Sequence, residues 1–204
     1  MQADRNAGGH DGTVLFEHFC ASVATNFLGG PAGTSAFVFG TGRVTEELRD
    51  ADQLDESQFE QAVNNLCKNL KEGFGFSKHP ESKVTAKDGK LDVVAWRGFA
   101  DERLGRLIVF GQCKTGTHWE GDLTKLSPQT FCDKWLKKAF AVLPLRLYFV
   151  ADRVLTNWYD RTKDAGIIFD RCRLMQYAEP LEQSLFSKIR DWTEASAKSE
   201  GINL

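Results

Sequence analysis

The sequence predicts an α/β fold, a mixed central sheet flanked by helices in a single domain. Short β-branched apolar runs alternate with longer stretches of helical periodicity, in the order helix, strands with a hairpin, helix, strand, helix, strand, helix. Residues 107–113 are apolar on both faces, with Leu107, Val109 and Cys113 on one and Ile108 and Phe110 on the other, as in a central strand covered on both sides. A length of 204 residues with 42% hydrophobic content suits one domain with a sizeable core.

Composition narrows the function classes. A formal net charge of -2 gives no global sign of nucleic acid, so any phosphate-binding surface must be local. Cys20, Cys67, Cys113, Cys132 and Cys172 form no CxxC pair and lie in apolar patterns, which reads as reduced, buried thiols and argues against zinc. No apolar run approaches membrane-spanning length and no signal-peptide core is present, so a soluble, cytoplasmic protein without a membrane partner is expected.

Residues 1–12 are small and polar and read as a disordered N-terminal tail. One domain is expected over residues 13–195. Its first helix spans residues 13–28, with Leu15, Phe16, Phe19, Cys20, Val23 and Phe27 at helical spacing, Thr13 as cap and Gly29-Gly30-Pro31 as stop. Glu17 sits near the edge of that stripe, where the helix dipole favours an acid. Residues 35–40 read as a brief strand, followed by Gly40-Thr41-Gly42-Arg43, a turn that lacks the lysine of a phosphate loop.

Residues 45–72 are charged and helical, with Leu54, Phe59, Val63, Leu66 and Leu70 in one stripe and Glu46, Glu47, Glu56, Glu60 and Glu72 on a solvated face. Residues 44–72 read as a helical insertion that either covers one side of the sheet or meets a protein partner. Residues 73–84, with Phe74 and Phe76, supply the expected outer strand beside residues 91–96. His79-Pro80 and residues 87–90, including Asp88, are turns.

Residues 91–96 and 107–113 form a hairpin across a long polar loop containing Gly98 and Gly105. The loop after it, residues 115–119, leaves the strand's carboxyl end, where ligands of α/β folds often sit. Thr115, Thr117 and His118 suit phosphate contact there, and Trp119 either stacks on a base or lids the core, the lid being favoured. Residues 127–140 read as a helix with Pro128 in its first turn. Phe131, Trp135, Leu136 and Phe140 form its buried side, and Lys134, Lys137 and Lys138 form the chain's densest basic patch opposite. A strand at 143–151, a helix at 153–163, a strand from 166 towards Tyr177 and a helix from Pro180 complete the domain. Residues 196–204 are a flexible C-terminal tail.

Three polar residues break the strand pattern. Asp92 lies within the first strand of the hairpin; Gln112 and Lys114 end the second and, with a period of two, share one face. Unpaired charge in a core costs several kcal/mol, so these groups are paired, wet or gathered round an ion. The Asp92 carboxylate, the Gln112 side-chain carbonyl and the Cys113 backbone carbonyl are hard oxygen donors suited to Mg²⁺ or Mn²⁺. A lysine beside such an ion can orient a water and offset charge on a phosphate.

Asp92 followed on the neighbouring strand by Gln112-Cys113-Lys114 resembles the PD-(D/E)xK nuclease superfamily, the restriction-endonuclease-like fold, in its Gln-x-Lys variant. The motif covers residues 91–114, with Leu91 in place of the usual Pro and Gln112 in place of an acid. The architecture covers roughly residues 13–177. The resemblance implies a Mg²⁺- or Mn²⁺-dependent endonuclease that hydrolyses phosphodiester bonds, usually in DNA. Asp92, Gln112 and the carbonyl of Cys113 would hold the metal, and Lys114 would act in catalysis. Glu17, or alternatively Glu72, would be the helix carboxylate that completes the site, and Thr115, His118, Lys134, Lys137 and Lys138 would meet nucleic acid. The expected setting is an effector module of a bacterial defence or repair system. A catalytically inactive relative that binds nucleic acid or a protein partner is the alternative, with Lys114 paired to Asp92 as a structural ion pair.

Overall fold

A computed structural model of the chain describes residues 5–39, 56–78 and 90–202. The expected turns at Gly40-Thr41-Gly42-Arg43, His79-Pro80 and 87–89, together with Leu54, Glu46, Glu47 and Asp88, lie outside these residues. Among the described residues no helix is long and apolar enough to cross a membrane.

The core is a five-stranded mixed sheet in the order β3 (Thr34–Val38), β4 (Val93–Arg97), β5 (Leu107–Lys114), β6 (Leu145–Val150) and β7 (Ile167–Phe169). The first three run antiparallel; β6 and β7 join β5 in parallel. The strand expected to be central is central, and Val109 and Phe110 are buried on opposite faces of it. The parallel pairs need crossovers, supplied by α3 (Pro128–Trp135) and α4 (Trp158–Ala165).

Two helical layers cover the sheet. On one face α1 (Gly12–Phe27) lays Cys20, Val23 and Ala24 on Val93, Ala95, Val109, Leu147 and Phe149. On the other, α2 (Glu56–Leu70) and α3 pack Phe59, Val63, Leu66, Leu70, Phe131 and Trp135 on Val94, Ile108 and Phe110. The apolar stripe of α2 is therefore spent on the core. Residues 56–70 of the segment cover one side of the sheet.

Several expected boundaries move, each for a local reason. Asp11, not Thr13, caps α1, accepting from the N–H groups of Thr13 at 2.8 Å and Val14 at 3.4 Å. Residues 5–11 of the expected tail are structured: β1 (Asn6–Ala7) and β2 (His10–Asp11) form a small hairpin, and Trp192 Nε1 of α6 (Gln183–Ser199) donates to the Arg5 carbonyl at 3.2 Å. The same helix runs past 196, and Ser196 is buried, so the expected flexible C-terminal tail starts too early.

The outer strand beside β4 is β3; residues 73–78, the described part of the stretch expected there, do not pair with it. Phe74 has a positive φ of 59°, and Phe76 makes only one bridge, to Leu136. The helix at 127–140 stops at Trp135 because the N–H groups of Lys137 and Lys138 turn to the carbonyls of Gly75 and Gly73. The last expected strand ends at Phe169, where Asp170 caps the short α5 (Arg171–Gln176).

Candidate active site at the carboxyl end of the central strand

The hairpin register pairs Val93 with Gly111, which sets Asp92 beside Gln112 at the end of the ladder. Asp92 Oδ2 accepts from the Cys113 N–H at 2.7 Å. Its own N–H donates to the Gly111 carbonyl at 2.9 Å, and its carbonyl accepts from Phe39 at 2.7 Å. Asp92 is thus clamped where β4 begins and β5 ends. Burial pushes its carboxyl up to about 6, against the lowering pull of the Cys113 N–H and the ammonium groups of Lys114 and Lys90.

Gln112 is 1% exposed, and its Oε1 has no hydrogen-bond partner among the described residues. An unsatisfied buried carbonyl costs roughly 1–3 kcal/mol, so a donor or a cation there would be stabilising. Gln112 lies beside Tyr148 of β6 and faces away from α1. The Ala151 N–H donates to the Lys114 carbonyl, so β6 takes the backbone groups of Gln112 and Lys114, while those of Cys113 face Asp92. The Cys113 carbonyl shares that side with its N–H.

The Cys113 side chain points to α1. Its thiol and that of Cys20 are hydrogen-bonded, and burial raises both, so neither is a thiolate. Glu17 is buried one turn before Cys20, and its charge reaches both thiols. It approaches from the α1 face, whereas Gln112 and Lys114 occupy the other. Asp92 reaches both faces: burial does most to raise Cys20, Cys113 and Tyr148, and the Asp92 charge adds to it at the two thiols on one face and, after that of Asp122, at Tyr148 on the other.

Lys114 corrects one expectation. Its ammonium pairs with Asp122 and not with Asp92, and Lys125 pairs with the other Asp122 oxygen. Asp122 ends the 3-10 turn Trp119–Asp122. Burial works upward on its carboxyl, but the two lysines hold it down at about 2. Sequence reasoning missed this residue; its only signal was an acid three positions before Lys125.

The other expected site residues divide. Thr115 and His118 are exposed on the loop leaving β5, as is Thr117. Trp119 is buried with its ring against Tyr148 and Arg161 over it, so it is a lid and not a base-stacking platform. Glu72 is neither solvated nor at the site. It is buried and accepts from the N–H groups of Gly105 and Ala141, each at 3.1 Å, near the start of β5. With a rise of about 3.3 Å per residue along β5, that is some 20 Å from Lys114. Lys137 and Lys138 stand beside Gly75 and Gly73 at that same end, and Lys134 lies over the Trp135 ring, so the basic trio is not gathered round Asp92.

Among the described residues no group of three or more His, Cys, Asp or Glu side chains is disposed to hold a metal ion. Asp92 would have to share one with the Gln112 amide and the Cys113 carbonyl. Comparison with protein-family models, curated proteins and solved structures finds no match.

Proposed function

We propose that this chain is a metal-dependent nuclease of the PD-(D/E)xK type, in its Gln-x-Lys form, that hydrolyses phosphodiester bonds, most readily those of DNA. The observation that carries the reading is the unpartnered Gln112 Oε1 beside the half-buried Asp92 carboxylate, with Lys114 on the same face. Carboxylate, amide oxygen and the Cys113 carbonyl are the donor types that Mg²⁺ or Mn²⁺ takes, so the residues fit such an ion. The antiparallel β3–β4–β5 run, the helical crossover and the parallel β6 have the element order of restriction-endonuclease-like folds, which supports the same reading.

When bound, the ion would polarise the scissile phosphate and lower the pKa of a water. The rest falls to the chain. Asp92, Gln112 and the Cys113 carbonyl hold the ion. Lys114 sets a positive charge where negative charge grows on the phosphate. Thr115 and His118 line the approach from the open end of the strand. Glu17 acts from behind, through the Cys113 side of the sheet.

Nicking of supercoiled plasmid in Mg²⁺ or Mn²⁺ tests this. The wild type is expected to nick, and Lys114→Ala to lose about a hundredfold or more, the usual scale for a charge aimed at the transition state. Equal nicking by both proteins, or none by either, sinks the reading. One observation favours a second: Gln112 stands where an acid would supply a further charge, and among the described residues no cluster of carboxylates forms round Asp92. A nuclease-like domain that binds nucleic acid or a protein without cutting fits that shortage. Mn²⁺ that raises the melting temperature of the wild type but not of Asp92→Ala favours the nuclease, and no shift favours the binder.

A further inference from the structure

Resting on that reading, we infer that Asp122 is the positioning residue of Lys114, holding the ammonium in place at the end of β5. A lysine ammonium hangs on four rotatable bonds and loses much rotamer freedom when fixed, so a lysine that works at one spot needs a tether. Lys114 has one. Its ion pair with Asp122 joins two side chains that are only 24% and 20% exposed.

The turn that carries Asp122 is itself pinned. Trp119, the first residue of the turn, is buried, and its carbonyl accepts from the Tyr148 hydroxyl at 2.7 Å. Arg161 lies 5.1 Å from the Trp119 ring centroid and pairs with Glu120. Tyr148 is the β6 neighbour of Gln112. The contacts close a circuit: the sheet joins Gln112 to Tyr148, Tyr148 holds the turn, and the turn returns to β5 through Asp122 and Lys114. A casual surface ion pair would have no such frame.

Lys125 adds a second cation to the same carboxylate, so two ammonium groups face one acid and the cluster keeps a positive excess. The Lys114 charge also reaches Asp92. The ammonium is thus within electrostatic reach of both the acid that holds it and the acid of the proposed metal site.

The test compares wild type, Asp122→Asn, Asp122→Glu, Lys114→Ala and Lys114→Ala/Asp122→Asn in Mn²⁺-supported cleavage of a labelled DNA duplex. Asp122→Asn is expected to lower kcat about tenfold or more with KM within about twofold, since a misplaced group costs rate rather than substrate binding. Asp122→Glu should restore part of the loss, and in the Lys114→Ala background the Asn change should cost nothing further. An unchanged kcat, or a loss that adds fully to that of Lys114→Ala, overturns the assignment. If the wild type cleaves nothing, the nuclease reading fails by itself and the tether is decided by NMR relaxation of ¹³Cε-labelled lysines. Lys114 should be ordered in the wild type and as mobile as Lys137 in Asp122→Asn; equal order in both proteins overturns it.

Discussion

Asp92 Oδ2 accepts a hydrogen bond from the Cys113 N–H at 2.7 Å, so the carboxylate of one strand is fastened to the backbone of the strand that bears Gln112 and Lys114. The bond fixes the acid but does not balance its burial, because the carboxyl is still pushed up to about 6. A carboxylate held this way is under electrostatic tension when ionised.

The tension has a sign and a pH window. In the unfolded chain an aspartate titrates near 3.9. Below about pH 4 Asp92 is protonated in both states and its contribution to stability is fully present. As pH rises through about 6 that contribution is lost. Asp92→Asn keeps an acceptor for Cys113 and carries no charge. It is expected to stabilise the metal-free protein at pH 8 by about 1–3 kcal/mol, the upper end following from roughly 1.4 kcal/mol for each pH unit by which burial raises the carboxyl. The gap should close at pH 4. Melting in EDTA at the two pH values checks this, and a gap of the same size at both contradicts it.

Gln112→Glu gives the proposed motif its acidic form. Without an ion it places a second buried carboxylate beside Asp92, which is expected to cost on the order of 1–3 kcal/mol through desolvation and repulsion. With Mn²⁺ the added charge should tighten binding by about tenfold, since ligand charge sets cation affinity. Calorimetric titration of both proteins at pH 7.5 reads the second effect, and melting in EDTA reads the first. A variant that loses stability without gaining affinity would place the ion elsewhere.

Local pattern revealed β5 because its apolar residues point both ways, and revealed Asp92, Gln112 and Lys114 because they interrupt that pattern. It failed where tertiary contacts decide. Residues 34–38 and 73–77 are both short, apolar and flanked by glycine; only the pairing of Ala36 with Ala95 says which is the edge strand. Lys137 and Lys138 continue a helical spacing towards Phe140, yet the carbonyls of Gly73 and Gly75 draw their N–H groups away. Asp122 was illegible because its partner lies across a turn and its anchor, Tyr148, on another strand. Glu72 misled for the same reason. An acid in a charged helix looks solvated until the loops it serves are known.

Glu72 separates stability from the site. Its carboxylate satisfies the N–H groups of Gly105 and Ala141, and beside it Arg106 donates to the Leu70 carbonyl that ends α2. Glu72→Ala takes the acceptor from the half-buried Gly105 N–H and the more exposed Ala141 N–H and is expected to cost about 1–2 kcal/mol in urea denaturation, below the full penalty for two buried donors. Any melting shift that saturating Mn²⁺ gives through the proposed site should not change, because that site is at the other end of β5. A variant that abolished that shift while still folded would bring Glu72 back as the site's helix carboxylate.

Gly111 precedes Gln112 in β5, and a Cβ there would stand 2.6 Å from Phe149 Cε2 and 3.3 Å from the Val93 Cβ. Phe149 is fully buried, its ring 5.2 Å from that of Phe169, so it has little room to retreat. Gly111→Ala is expected to destabilise by about 1–3 kcal/mol as an overpacked core. On the proposed reading it should also weaken Mn²⁺ binding, because the strand that yields is the one that carries Gln112. Phe149→Leu in the same chain removes the nearer contact and should recover most of the stability, a coupling that a double-mutant cycle reads directly. If it recovers none, the clash lies with Val93, and the hairpin rather than the β5–β6 pair sets where Gln112 sits.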